Sequence, residues 1–204
     1  MSKQKQKIDN LHKKKMEKLK KNIDASINAA NRQRGIGILL TGNGKGKSTS
    51  AFGMVIRSLG YDHKVGIVQF IKGQQLSGEE IYIRDKCPSV AFHQMSTGFT
   101  WETQDRSIDI AAAEKSWSKA EKMLKDDNYD LVVLDELTYM LSFKYLDEDK
   151  VIHALKHRPI HQSVVVTGRG GGAALKSWAD TVSEIKATKH AYNQGIMARK
   201  GVDL

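Results

Sequence analysis

The stretch TGNGKGKST, residues 41–49, has the composition of a loop that holds phosphate groups. It follows an apolar run and precedes a helical pattern, so its backbone N–H groups would lie at the positive end of a helix, where anions bind favourably. The usual pattern is G-x-x-x-x-G-K-[ST]. Here the loop is one residue shorter, because only three residues separate Gly42 from Gly46-Lys47-Ser48. The stretch predicts a phosphate site but leaves open whether that site serves ordinary phosphoryl transfer.

The residues of this loop have separate expected roles. Glycines let the backbone approach phosphate oxygens, Lys47 would reach the outer phosphates, and the Ser48 hydroxyl would face Mg²⁺. A glycine-rich turn with exposed lysines is the alternative, but loop, lysine, hydroxyl and helix occur in the right order. The predicted nucleotide-binding residues are Gly42, Asn43, Gly44, Lys45, Gly46, Lys47, Ser48 and Thr49.

A carboxylate partner for such a loop is found in LVVLDE, residues 131–136. A metal-bound nucleotide needs an acidic side chain at the end of a neighbouring strand, and here four apolar residues precede Asp135 and Glu136. Acidic residues often follow buried strands, so the stretch alone is a weak signal. Together with the loop it predicts a nucleotide–Mg²⁺ (or Mn²⁺) site built from Ser48, Asp135 and Glu136, and either carboxylate could contact the metal.

The elements that must position these residues alternate in type along the chain. Short apolar runs at 36–40, 64–70, 90–93, 131–134 and 162–166 predict strands, and helical patterns occupy 46–59, 105–125 and 147–157. In the helix at 105–125 the expected buried face is Ile108, Ala112, Trp117, Ala120 and Leu124. Near-continuous apolar strands alternating with helices indicate a parallel sheet covered on both faces. The expected fold is a three-layer α/β phosphate-loop domain over residues 35–204.

The basic charge of the chain lies mainly in its N-terminal segment. The net charge is +10, and residues 1–22 hold nine lysines against Asp9 and Glu17. Apolar residues at positions 8, 11, 16, 19, 23 and 27 follow helical spacing, so residues 1–34 are predicted to form a lysine-rich helix or arm. Because the remainder is nearly balanced in charge, we favour a solvated helix face over nucleic-acid binding.

Two further properties bound the class of protein. Cys87 is the single cysteine, which excludes an intrachain disulfide and a cysteine-based metal cage. No apolar run approaches the ~18 residues of a membrane helix. We therefore expect a cytoplasmic protein.

Several other stretches resemble one enzyme family. Together with GNGKGKST, the motifs VQFIKG (68–73), TGFTWETQ (97–104), LDELTYML (134–141), TGRG (167–170) and ADTVSEI (179–185), with the segment at 189–204, resemble the ATP:corrinoid adenosyltransferases of cobalamin synthesis and salvage. The motifs occur in the family's order, from about Gly35 to the C-terminus. The sequence departs from the family at 170–174, GGGAA, where relatives usually carry an Asn or Gly followed by bulkier or charged residues.

The resemblance implies a fold and a reaction. The domain would be RecA-like. The enzyme would transfer the 5′-deoxyadenosyl group of ATP to the Co(I) of cobalamin or a precursor and release triphosphate. The loop would then hold the whole triphosphate as a leaving group, with Lys47 stabilising its charge. The resemblance also implies an electron donor such as a reduced flavoprotein, and a homodimer.

Three more side chains have expected roles: two from this resemblance, and Arg169 from its position after the fifth predicted strand, where open parallel sheets bind ligands. Phe99 and Trp101 match the apolar wedge that displaces the lower axial ligand of cob(II)alamin and makes its reduction easier. Both could instead be core aromatics. Arg169 would contact phosphate or a corrinoid side chain, and a surface salt bridge is an equal alternative. His190 is expected to be structural.

Other functional classes remain as alternatives. A small kinase shares the loop and LVVLDE but gives no reason for GFTW. A nucleic-acid-binding ATPase would grip the backbone with the lysine-rich segment and bind in a salt-sensitive way. A corrinoid carrier that binds ATP only as a regulator would release no triphosphate.

Overall fold

The structure, a computed structural model, describes residues 3–71, 76–95 and 105–203. It contains two units, residues 1–33 and residues 34–204. The first unit consists mainly of helix α1 (Lys3–Ala29). The apolar residues on which its helical prediction rested are solvent-exposed: Ile8, Leu11, Met16, Leu19, Ile23 and Ile27. No helix in the described ranges is long and apolar enough to cross a membrane.

The second unit is built on a six-stranded sheet in which every recorded strand pairing is parallel. The strand order is β3-β2-β4-β5-β1-β6. The strands are β1 (Gly37–Thr41), β2 (Val65–Gln69), β3 (Ala91–Gln94), β4 (Leu131–Asp135), β5 (Ser163–Thr167) and β6 (Thr181–Glu184). The first five match the predicted strands closely, whereas β6 was not predicted.

Helices connect the strands and cover both faces of the sheet. They are α2 (Lys47–Leu59), α3 (Gly78–Lys86), α4 (Arg106–Lys125), α5 (Leu137–Ser142), α6 (Glu148–Lys156) and α7 (Gly172–Trp178), followed by a 3₁₀ turn at Ala191–Gln194. Three of them begin at a capping side chain that accepts a backbone N–H of the first turn: Ser77, Asp105 and Asp147. Such caps satisfy donors that a helix start leaves unpaired.

The core is divided between the two faces because successive strand residues point to opposite sides. Leu39, Val132 and Val164 pack on one side with Trp117 of α4. Leu40, Val133 and Val165 pack on the other with Phe52 of α2. The result is the expected three-layer, RecA-like α/β architecture, in which β5 separates β1 from β4.

One expected buried position is wrong. Ile108 of α4 is half exposed, whereas the neighbouring Asp109 is buried. Asp109 accepts a hydrogen bond from the Tyr145 hydroxyl at 3.3 Å. Tyr145, in the segment after α5, thus gives the buried Asp109 carboxylate a polar partner, and because adjacent helix positions lie on different faces, Ile108 is exposed.

Candidate functional site

The phosphate loop joins β1 to α2 and has the conformation that only glycine adopts readily. Gly42 and Gly46 have φ values of 100° and 119°, in the region where a side chain is strained. A Cβ at Gly42 would also lie 2.4 Å from the Ile185 carbonyl oxygen. The Gly44 N–H donates to that same carbonyl at 2.7 Å. Ile185, the residue that follows β6, therefore contacts two glycines of the phosphate loop.

Lys47 is the first residue of α2 and is 8% exposed. Its ammonium group donates to the Gly44 carbonyl at 2.9 Å. The pKa of Lys47 is lowered from its ordinary value, mainly by burial. The Glu136 and Asp135 carboxylates act in the opposite direction, and the charge of Arg169 lowers it further. The charges of the acidic pair and of Arg169 thus act on Lys47. Its ammonium group can exchange the neutral Gly44 carbonyl for a negatively charged acceptor.

The other loop residues differ in accessibility. Ser48 is half-buried at the start of α2, whereas Asn43 and Thr49 are exposed. Lys45 forms an ion pair with Asp203 at 2.9 Å. The loop therefore presents one buried cation, Lys47, and one exposed cation that is already paired with a carboxylate.

The acidic pair ends β4, and its two members have different environments. Asp135 is 1% exposed. Its Oδ1 accepts the Thr167 hydroxyl at 2.6 Å, and its Oδ2 accepts the Gln69 amide at 2.7 Å. Glu136 is half-buried and has a φ of 59°, and its backbone N–H donates to Thr167 Oγ1 at 2.9 Å. Thr167, at the end of the intervening strand β5, thus contacts both acidic residues.

A second glycine-rich loop, residues 168–172, follows β5 beside the phosphate loop. Its glycines at 168, 170, 171 and 172 all have positive φ. The Thr138 hydroxyl donates to the Arg169 carbonyl at 2.9 Å, and the Thr41 hydroxyl donates to the Gly170 carbonyl. Residues from β1 and α5 therefore hold this loop in place.

The Arg169 side chain itself is exposed. Within the described part of the chain, no ion pair involves it, and its charge acts on Lys47 and Tyr139. The salt-bridge alternative thus has no acidic partner there.

The structure brings together most of the sequence-predicted site. The loop, Lys47, Asp135, Glu136 and Arg169 meet at the carboxyl edge of the sheet, where open parallel sheets bind ligands. His190 caps the 3₁₀ turn by accepting the Tyr192 N–H at 3.2 Å, which is a structural contact. Phe99 and Trp101 lie outside the described residues.

Sequence reasoning missed five residues that shape this site: Gln69, Thr138, Thr167, Ile185 and Asp203. Gln69, Ile185 and Asp203 reach it from a strand end, from the residue after β6 and from the C-terminal segment, all distant in sequence, whereas Thr138 and Thr167 each lie two residues from a predicted site residue. All five lie within stretches singled out above, but their roles depend on strand register and on contacts between distant segments. Gln69 is paired with Asp135 across β2 and β4.

The chain is similar in sequence to proteins of one family. Residues 33–204 match the family model described as ATP:corrinoid adenosyltransferase BtuR/CobO/CobP. A corrinoid adenosyltransferase from Pseudomonas aeruginosa is 49% identical over 96% of both chains. One from Escherichia coli strain K12 is 45% identical over 96% of this chain and 98% of its own. Among solved structures, a KaiC-like protein from Pyrococcus horikoshii aligns over 76% of this chain and 74% of its own, with a TM-score of 0.44 and 13% identity.

The motifs, the fold and the relatives lead to one assignment. The chain belongs to the ATP:corrinoid adenosyltransferase family, whose members transfer the adenosyl group of ATP to a reduced corrinoid in cobalamin synthesis, and it is an enzyme of that class.

Proposed function

We propose that this chain transfers the 5′-deoxyadenosyl group of ATP to the Co(I) of a reduced corrinoid, with the phosphate loop holding the triphosphate as the leaving group. The observation that carries the proposal is the position of Lys47, a buried cation whose ammonium group lies within the phosphate loop, 2.9 Å from the Gly44 carbonyl, at the same edge of the sheet as the acidic pair that ends β4. Such a site is suited to a highly charged anion together with a divalent cation.

In the transfer step, the electron pair of Co(I) attacks C5′ of the ribose and forms the cobalt–carbon bond. The C5′–O bond breaks, its electron pair leaves with the triphosphate oxygen, and cobalt becomes formally Co(III). No proton needs to be removed from the nucleophile, so a general base is not required. The protein's tasks are to align cobalt with C5′ and to stabilise the charge that develops on the departing oxygen.

Lys47, Lys45 and Arg169 are the cations assigned to that charge. Lys47 would exchange the Gly44 carbonyl, 2.9 Å from its ammonium group, for a phosphate oxygen. A charge-assisted contact of this kind is stronger than a bond to a neutral carbonyl. Gly42, Asn43, Gly46, Ser48 and Thr49 complete the proposed nucleotide-binding set.

The donors at the carboxyl edge fit Mg²⁺ or Mn²⁺. Mg²⁺ in nucleotide sites uses one or two carboxylates and completes its shell with waters and phosphates. In the ranges described, no group of three or more His, Cys, Asp or Glu side chains that could hold a metal occurs. Phosphate oxygens and waters would complete the shell around the cation. We assign Ser48 and Glu136 as direct ligands and place Asp135 at the hydrated cation through water, because two buried side chains already hold its carboxylate by one hydrogen bond to each oxygen. The cation would neutralise charge on the triphosphate.

Residues outside this site would remove the lower axial ligand of the corrinoid and cover it. Phe99 and Trp101 are proposed to form the wedge that removes the lower axial ligand, with a reduced flavoprotein as electron donor. The exposed apolar residues of α1 suit the 1–34 segment for covering the corrinoid in a homodimer. Deletion of residues 1–27 without loss of corrinoid affinity, activity or self-association would contradict that role.

The decisive experiment is anaerobic. The protein is mixed with Mg-ATP and chemically reduced cobalamin, the visible spectrum is followed, and the phosphate product is identified. Light-sensitive adenosylcobalamin with one triphosphate per turnover is expected. ADP would indicate a phosphotransferase, nucleic-acid-stimulated phosphate release would indicate an ATPase, and tight corrinoid binding without product would indicate a carrier.

A further inference from the structure

Gln69 is a buried polar side chain that the reaction described above does not use. It is the last residue of β2, is 2% exposed, and lies opposite Asp135 in the β2–β4 register. Its amide nitrogen donates to Asp135 Oδ2 at 2.7 Å. Its own backbone is held as well, since its carbonyl accepts the Met95 N–H at 2.9 Å. The donor is therefore fixed in place before any substrate binds.

Gln69 acts on Asp135 together with Thr167. The threonine hydroxyl donates to the other carboxylate oxygen at 2.6 Å, from the strand on the opposite side of β4. The Asp135 backbone is also tied, because its carbonyl accepts the Phe70 N–H at 2.9 Å. A carboxylate with a donor on each oxygen and a fixed main chain cannot rotate without losing a hydrogen bond in a buried place.

The side-chain oxygen of Gln69 differs from its amide nitrogen in its contacts. Its Oε1 is buried and has no hydrogen-bond partner in the described structure. Buried amide oxygens are nearly always satisfied, and an exception requires an explanation. A water molecule bound to a divalent cation is a strong O–H donor, and Mg²⁺ characteristically keeps several of its waters. Gln69 adjoins the carboxylate pair to which we assign the cation.

We propose that Gln69 is a positioning residue for the divalent cation. Its amide N–H₂ and the Thr167 hydroxyl hold the Asp135 carboxylate in the orientation that receives the hydrated cation, and its Oε1 accepts a hydrogen bond from a water of that cation. This inference rests on the proposed function for the location of the cation. Groups that orient a metal site from outside the direct ligands typically change metal affinity about 10–100-fold when removed.

The chain contains a matched control for this glutamine. Gln162 is also fully buried, its amide nitrogen donates to the Met123 carbonyl at 3.0 Å, and its Oε1 likewise has no partner in the described structure. It precedes β5, whereas Thr167 ends the same strand, so Gln162 lies at the opposite edge of the sheet. Replacing either residue by Met keeps its length and removes both polar groups.

The test measures cation binding without turnover. Binding of Mn²⁺, alone and with ATP, is followed by electron paramagnetic resonance in the wild type, Gln69→Met and Gln162→Met, with no corrinoid present. We expect Gln69→Met to raise the Kd of Mn²⁺ in the ATP complex about tenfold or more, and Gln162→Met to leave it unchanged. In the full reaction, Gln69→Met should raise the Mg²⁺ concentration for half-maximal rate, and excess Mg²⁺ should restore kcat.

Equal Mn²⁺ affinity in Gln69→Met and Gln162→Met would overturn the inference and leave Gln69 as a core residue only. If Gln69→Met does not fold, Gln69→Asn carries the same test, because it keeps the amide but is too short to reach Asp135. The binding experiment uses no corrinoid. A wild type that binds Mn²⁺–ATP in the expected way but forms no adenosylcobalamin would therefore count against the proposed function and not against Gln69.

Discussion

The carboxylate of Asp203 lies 2.9 Å from the ammonium group of Lys45 in the phosphate loop. Its second oxygen accepts the Arg199 N–H at 3.0 Å, and the Asp203 N–H donates back to the Arg199 carbonyl at 2.8 Å. The tail thus places a negative charge on a lysine that we assign to the triphosphate. Both side chains are partly exposed, so the pair contributes little to stability, but it competes directly with a phosphate oxygen for Lys45.

Replacing Asp203 by Asn should therefore strengthen the binding of phosphate groups. We expect the KM for ATP to fall roughly two- to fivefold, the range that an exposed ion pair allows, and inhibition by added triphosphate to become stronger by a similar factor. Steady-state kinetics with and without triphosphate measure both effects. Asp127→Asn, which removes the same charge at an exposed site away from the loop, is the control. An unchanged or higher KM in Asp203→Asn would show that Asp203 does not compete.

Replacing Lys47 by Met should remove most of the transfer activity while keeping the fold. The side chain is 8% exposed, so a residue of similar length fills its space. Loss of one preorganised group that stabilises transition-state charge lowers kcat about 10²–10³-fold. We expect a decrease of that size, measured as triphosphate formed per enzyme per unit time. Lys45→Met should act mainly on KM, because Lys45 is exposed. Equal kcat in the two variants would contradict the assigned role of Lys47.

Gly168 should tolerate a side chain far less well than Gly170. Both have positive φ, 138° and 85°. A Cβ at Gly168 would lie 2.0 Å from Thr138 Oγ1, whereas a Cβ at Gly170 would meet nothing within 4 Å. Backbone strain alone costs roughly 1–3 kcal/mol, so Gly170→Ala should lower the free energy of unfolding by about that amount and Gly168→Ala by clearly more. Denaturant unfolding of both variants tests this, and equal losses would show that the Thr138 contact does not matter.

The ion pair at the start of β1 should make stability depend on acid pH. The Arg34 guanidinium, followed by the Gly37 N–H, holds the pKa of Asp180 at about 2, below its ordinary 3.8. A lowered pKa means that the folded state favours the ionised form. Its stabilisation is fully present above the unfolded pKa and is lost as the pH falls from about 4 towards 2.

Thermal unfolding between pH 6 and pH 2 tests this dependence. The difference in Tm between the wild type and Asp180→Asn should be constant near neutral pH and should shrink below pH 4. Asp127→Asn serves as the reference for loss of an exposed carboxylate. A Tm difference that does not change with pH would show that the Asp180 carboxylate is not preferentially stabilised by folding.

Strong local patterns explain why much of the fold was predictable from sequence. β4 and β5 are continuous apolar runs bounded by polar residues, and both were located to within a residue. The unpredicted elements lack such patterns. Every residue of β6 is exposed, so alternation of polarity gives no signal, and its pairing depends on β1. α7 begins at the last of three consecutive glycines, and such a run favours a loop prediction.

In the candidate site, too, only the residues that lie close together in sequence were predictable. Gly46, Lys47 and the Asp135–Glu136 pair are recognisable because their spacing lies within one loop or one strand end. The partners that fix Asp135 come from two other strands, and only the register of β2 against β4 and the strand order place Gln69 and Thr167 beside it. Long-range pairing of this kind has no local signature, so sequence reasoning could identify the acidic pair but could not assign separate roles to its two members.

The strand order also has a consequence for how the protein is made. The strand that carries the phosphate loop, β1, is the first in sequence, yet its partners are β5 and β6, the last two. On the ribosome, where a domain emerges from its N-terminus, β1 has neither neighbour until residues 163–184, which contain β5 and β6, have been synthesised. Pairing β1 with strands that are so far away in sequence is a slow, non-local step in folding. The nascent chain therefore acquires its nucleotide site only after β5 and β6 have emerged, and ATP should protect the full chain from proteolysis but not a ribosome-bound chain that stops before β5.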